Sequence, residues 1–90
     1  MDIQEIFAIH TDCAFGKVEE KLMYEVEGNE GNELEFWEFY EREIDGLQVY
    51  CLSPSKSGFQ LYLTDGKTLY YVDYSASGTK FYELEGVSND

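Results

Sequence analysis

Phe59-Gln60-Leu61-Tyr62-Leu63-Thr64-Asp65-Gly66-Lys67-Thr68-Leu69-Tyr70-Tyr71-Val72-Asp73-Tyr74 is the stretch that decides how this chain folds. In an extended chain successive side chains point to opposite faces, so Phe59, Leu61 and Leu63 share one side and Gln60, Tyr62 and Thr64 the other. Asp-Gly is a favoured pair for a two-residue type I′ turn, which makes Phe59 to Thr64 and Lys67 to Tyr74 the arms of a hairpin turning at Asp65-Gly66. A sheet built this way has one apolar face and one semi-polar face.

Working outward, Leu47 to Leu52 and Thr79 to Leu84 carry the same mixture of aromatic, aliphatic and β-branched residues. Ser53-Pro54-Ser55-Lys56-Ser57-Gly58 and Ser75-Ala76-Ser77-Gly78 read as longer turns between them. Four consecutive strands joined by turns make an antiparallel meander. Val18 to Glu27 adds a candidate fifth strand, in which Leu22, Tyr24 and Val26 alternate with Met23, Glu25 and Glu27.

Two segments of the N-terminal half have helical spacing. Ile3, Ile6, Phe7 and His10 fall at i, i+3, i+4 and i+7, with Asp2 placed to cap the positive end of the dipole. In residues 33–44, Phe36, Trp37, Phe39, Tyr40 and Ile44 share one arc of a helical wheel, and Glu35, Glu38, Glu41 and Arg42 lie opposite. Asn32 with Glu35 three residues later follows the logic of a capping box, and Gly46 is placed to end the helix. The aromatic content of this segment taken alone favours a strand. The fold expected is therefore α+β: one or two short helices in the N-terminal half packed on an antiparallel β-meander of four or five strands.

Ninety residues suit a single domain with a thin core, since a chain of this size buries only about 60% of its unfolded surface. Fifteen aromatics, eight of them tyrosine, supply much of that burial. No apolar run approaches the roughly 20 residues that span a bilayer, and Met1-Asp2-Ile3-Gln4-Glu5 lacks the basic, then apolar, pattern of a secretory signal. A cytoplasmic protein is expected. Cys13 and Cys51 stand far apart and outside any CxxC pair, which suits two reduced thiols.

The pattern of reactive residues points away from catalysis. His10 is the only histidine, and although Cys13 lies three residues on, nothing completes a set of three or four metal ligands. Ser53, Ser55 and Ser57 sit around Pro54 as turn residues, with no Gly-x-Ser-x-Gly elbow. Neither GxxxxGK[ST] nor GxGxxG is present to cradle phosphate, and no EF-hand loop occurs. No cofactor, no metal and no catalytic residue is expected.

Charge is the most uneven property of the chain. The formal net charge is −13, and residues 1–46 hold 14 acids against 3 bases, whereas residues 47–90 hold 5 acids against 3 bases. Phosphate recognition needs lysine and arginine to replace counterions, so neither naked nucleic acid nor an anionic membrane is an expected partner. A basic protein is. The expected partner-binding set is Glu19, Glu20, Glu25, Glu27, Glu30, Glu33, Glu35, Glu38 and Glu41, with Trp37 and Tyr40 as aromatic anchors.

If these acids form one patch they present a field comparable to that of duplex DNA, with its charge every ~1.7 Å of axis. The function expected on this ground is inhibition of a nuclease, toxin or nucleic-acid-binding defence effector, the strategy of immunity proteins, antitoxins and phage antagonists of host defence. Two other readings stay open: a non-enzymatic module docking through a tyrosine-rich sheet face, and a small-ligand-binding homodimer with tyrosines lining its pocket. Charge runs also serve simply to solvate an exposed face.

Overall fold

The computed structural model describes residues 2–12, 17–27, 38, 40–55, 58–75 and 77–86. Helix α1 (Ile3–Thr11) is followed by five strands: β1 (Val18–Glu27), β2 (Gln48–Ser55), β3 (Gly58–Thr64), β4 (Leu69–Ser75) and β5 (Gly78–Gly86). Between β1 and β2 the chain makes a π-helical turn, Tyr40–Ile44. All pairings are antiparallel and the order is β1-β5-β4-β3-β2, so β2 to β5 form the meander and β1 joins its far edge. The α+β expectation is met.

The capping chemistry of α1 is as its sequence implies. Asp2 accepts a hydrogen bond from the Glu5 backbone N–H at 2.8 Å, satisfying one of the orphan donors of the first turn. Ile6 and His10 are buried on the inner face of α1, with Ile3 and Phe7 packed beside them. Of the second expected helix, the described part is helical at Glu38 and across Tyr40–Ile44, and the remainder of residues 33–44 lies outside the described residues. The turn closes where the Asp45 N–H donates to the Tyr40 carbonyl at 2.7 Å and the Leu47 N–H to the Ile44 carbonyl at 2.9 Å, just ahead of β2.

Both faces of the sheet are covered. On one, α1 lies over Val18, Tyr62, Leu69, Tyr71 and Leu84. On the other, Ile44 packs with Leu63, Val72 and Phe81, and with the half-buried Tyr24, Tyr40, Leu47, Leu61 and Tyr70. The face expected to be semi-polar thus becomes the bed of α1. Its tyrosines are long enough to fill the gap beneath a short helix, and the Tyr62 hydroxyl reaches His10 Nδ1.

Three local expectations are corrected. Asp65-Gly66 is not a two-residue turn: pairing stops at Thr64↔Leu69, leaving the four-residue loop 65–68. Asp65 Oδ1 accepts from the backbone N–H of both Lys67 and Thr68 at 2.8 Å, and the Thr64 hydroxyl donates to the Thr68 carbonyl at 2.9 Å. These side-chain bonds satisfy a wider turn that the dipeptide alone does not require. Conversely, Ser75 pairs directly with Gly78, and β2 runs through Pro54 to Ser55, which pairs with Gly58, so both of the expected longer turns are tight. Pro54 is tolerated because β2 is an edge strand.

The third correction is in β1. Leu22 pairs with Tyr82 but Tyr24 with Phe81, so a bulge at Met23 puts Leu22 and Tyr24 on opposite faces rather than the same one. Tyr24 can therefore join the second core, where the Arg42 guanidinium lies 5.7 Å from its ring centroid.

Candidate functional site

A cleft of ≈ 470 Å³ opens between the C-terminal end of α1 and the sheet. Its floor is a row of three tyrosines set by register: Tyr62 of β3, Tyr71 of β4 and Tyr82 of β5 are successive cross-strand partners. Their ring centroids are 5.0 Å and 5.7 Å apart. One wall is Phe7, His10 and Thr11 of α1, and beyond the row lie Gln60, Asp73, Cys51 and Ser53. Cys51 carries a free thiol.

His10 joins helix to sheet. It is 6% exposed, its Nε2 lies 2.7 Å from Glu20 Oε1, and its Nδ1 lies 3.1 Å from the Tyr62 hydroxyl. In the neutral tautomer with the proton on Nε2, His10 donates to Glu20 and accepts from Tyr62, which satisfies all three groups at once. Both ring nitrogens are engaged, so neither is presented to the cleft to take a proton from a guest. His10 acts here as a strut that fixes Glu20 and Tyr62.

The phenols are shifted by this setting. Burial, and then the negative charges of Cys51, Glu20 and Asp73, push Tyr62 up to about 12. Tyr71 is pushed higher still, first by burial and then by Asp73, Tyr62 and Glu20. Tyr82 is raised by burial and by Glu20, Asp73 and Glu25. Glu20 and Asp73 therefore act on all three rings, and the cleft is electronegative.

A phenol whose folded pKa is raised favours the native state while it remains protonated. That contribution is whole below the unfolded value near pH 10 and is lost as pH rises through about 12 for Tyr62. In an ultraviolet titration of tyrosinate, Tyr62 and Tyr71 are expected to ionise only as the fold melts, after the exposed members of the eight tyrosines. Ionisation of all eight at ordinary pH with circular dichroism intact would contradict this burial.

Of the acids expected to bind a partner, the four on β1 are divided between its two sides rather than gathered on one face. Glu20, Glu25 and Glu27 belong to the α1 side of β1, whereas Glu19 faces the other side, opposite Glu85 of β5. Glu20 is held by His10, and Glu25 lies 4.0 Å from Lys80 Nζ. Glu38 and Glu41 are exposed around the π-helical turn, and Tyr40 of the same turn is half-buried against the second core. Glu30, Glu33, Glu35 and Trp37 lie outside the described residues, as does Cys13, so the His10–Cys13 spacing has no described geometry.

Asp73, Tyr71 and Tyr82 were not singled out as site residues by sequence reasoning. The available signal was the symmetry of the tyrosines about the turns, which becomes readable only when the turn lengths are known. Among the described residues, no group of three or more His, Cys, Asp or Glu side chains is placed to hold a metal ion. No described helix is long and apolar enough to cross a membrane. Comparison with protein-family models, with curated proteins and with solved structures finds no match for this chain.

Proposed function

We propose that this protein acts by binding a basic protein, with the acidic border of the sheet occupying a positively charged surface of a nuclease, toxin or nucleic-acid-binding effector. The observation that carries this reading is the direct opposition of Glu19 and Glu85 across β1 and β5. Like charges facing each other on neighbouring strands cost stability, by roughly 0.2–1 kcal/mol. Protecting a free edge from aggregation needs charge there, but a lysine opposite Glu19 would serve as well and would stabilise the fold. A repulsive pair kept at an edge is what a surface selected to attract cations contains.

The rest of that border carries both acids and bases. Glu83 pairs with Lys21 in register beside the Glu19–Glu85 pair, and Glu27 ends the strand on the other side. With a whole-chain charge of −13, long-range attraction speeds encounter with a basic partner and opposes encounter with nucleic acid.

Glu85→Lys tests the reading, because it has opposite consequences for stability and for binding. Urea denaturation is expected to show a variant as stable as the parent or more so, by up to about 1 kcal/mol. A partner captured by the parent protein at low salt should associate several-fold more slowly with the variant, and with a weaker salt dependence. An unchanged association rate, or a parent complex indifferent to salt, would sink the proposal.

A further inference from the structure

We infer that the cleft under α1 is a receptor for an arginine side chain of the basic partner, with Asp73 and Glu20 as counter-charges and the tyrosine row as its stacking surface. The source of that arginine rests on the basic-partner reading. The chemistry of the cleft does not.

Four observations carry it. First, the space is of ligand size, at ≈ 470 Å³, within the roughly 300–1,000 Å³ of pockets that take small groups. It holds a guanidinium and its stem easily. Second, among the described residues its lining contains two carboxylates and no lysine or arginine. Asp73 makes no ion pair or hydrogen bond among the described residues, and Glu20 uses one oxygen on His10. Lys80, which pairs with Asp73 in register, is directed to Glu25 instead.

Third, Tyr71 is only 8% exposed and lines the cleft, and its hydroxyl finds no hydrogen-bond partner among the described residues. The ring is buried while its hydroxyl opens to the cleft, where it can accept from a donor. Fourth, Tyr71 and Tyr82 are nearly parallel, with an interplanar angle of 27°, and both line the cleft, so two aromatic rings are at hand for a planar guest.

These features select among ligands. Anions are repelled by Glu20 and Asp73, and a neutral group leaves Asp73 without a counter-charge. A guanidinium is planar, carries five donors in a fixed fork and stacks on aromatic faces at lower desolvation cost than an ammonium. Arginine thus uses every part of the lining, where lysine would use the charge alone.

The test is a titration of the ¹⁵N-labelled protein with N-acetyl-argininamide, with the uncharged citrulline analogue as control. Saturable shifts are expected at Tyr71, Asp73, Tyr82 and Gln60, and none from citrulline. Asp73→Asn, which is isosteric, should weaken the probe about tenfold, as expected for loss of a charge-assisted bond. Gln60→Glu adds a carboxylate to the wall at an exposed position and should tighten it several-fold. No saturation, equal response to citrulline, or shifts confined to Glu19, Glu27 and Glu85 would overturn the assignment. So would affinity unchanged in both variants. Failure here with the Glu85→Lys effect intact removes the cleft and leaves the acidic border. Probe binding with an inert Glu85→Lys does the reverse.

Discussion

Leu69→Ala is expected to remove about 3–4 kcal/mol of folding stability. Leu69 has no exposed surface and starts β4 between Thr64 and Leu84, beneath Ile6 of α1. Truncating a fully buried leucine forfeits its transfer energy and leaves a cavity, together about 2–5 kcal/mol. Collapse to fill that cavity is hindered because the neighbours are a paired strand on either side and tyrosine rings already locked in a row. A domain of this length has roughly 5–13 kcal/mol in total, so the variant should sit near its unfolding threshold. Val49→Ala is the control: Val49 is 63% exposed on the edge strand β2, and its loss should register within about 0.5 kcal/mol. Equal midpoints for the two variants in urea would show that the helix-side core is not where the stability lies.

Gly58→Ala is expected to cost about 3 kcal/mol, for a reason that has nothing to do with burial of apolar surface. Gly58 opens β3 and pairs with Ser55 on one side and Ser75 on the other. A Cβ placed there would overlap the backbone carbonyl oxygen of Tyr74. A side chain can rotate away from such a clash, but a carbonyl in a sheet ladder can move only with its strand, which means breaking a pairing or bending the β3–β4 hairpin. The stack of Phe59 on Tyr74, with centroids 4.7 Å apart, adjoins that point and should be loosened, so a drop in near-ultraviolet circular dichroism accompanies the lower melting temperature. Gly66→Asn is the informative comparison. Gly66 has φ 95° with open space around it, and asparagine tolerates that region better than most residues, so its cost should stay under about 1 kcal/mol. A reversal of this order would mean that strand contact at Gly58 is looser than described.

The strands of the meander could be read from residue type because each is an unbroken run of aromatic and branched residues between turn formers. The caps and inner face of α1 were equally readable, since Asp2 and the Ile3, Ile6, Phe7, His10 spacing depend only on neighbours in sequence. What could not be read was register. A two-residue turn at Asp65-Gly66 would set Tyr62 against Leu69, whereas the four-residue loop sets Tyr62 against Tyr71. Faces are preserved by that shift of two, but the tyrosine row, and with it the cleft, exists only in the observed register. The bulge at Met23 was hidden for the same reason, because one extra residue in a strand leaves no mark on composition. Glu20 illustrates the remaining gap: its neighbours in sequence mark it as a solvated acid, and only packing brings it to His10.

One seam of the sheet differs from the rest. Three of the four pairings join strands adjacent in sequence, but β1 with β5 closes the chain from residue 27 to residue 78. Local hairpins form early and distant pairings late, because the entropy of closing a long loop must be met before any contact repays it. During synthesis the meander can assemble as it emerges, while the N-terminal strand waits for Glu85 to leave the ribosome. The opposed carboxylates that we assign to recognition therefore come into being only at the last step. A chain stopped before β5 would offer no such border to compete for the partner.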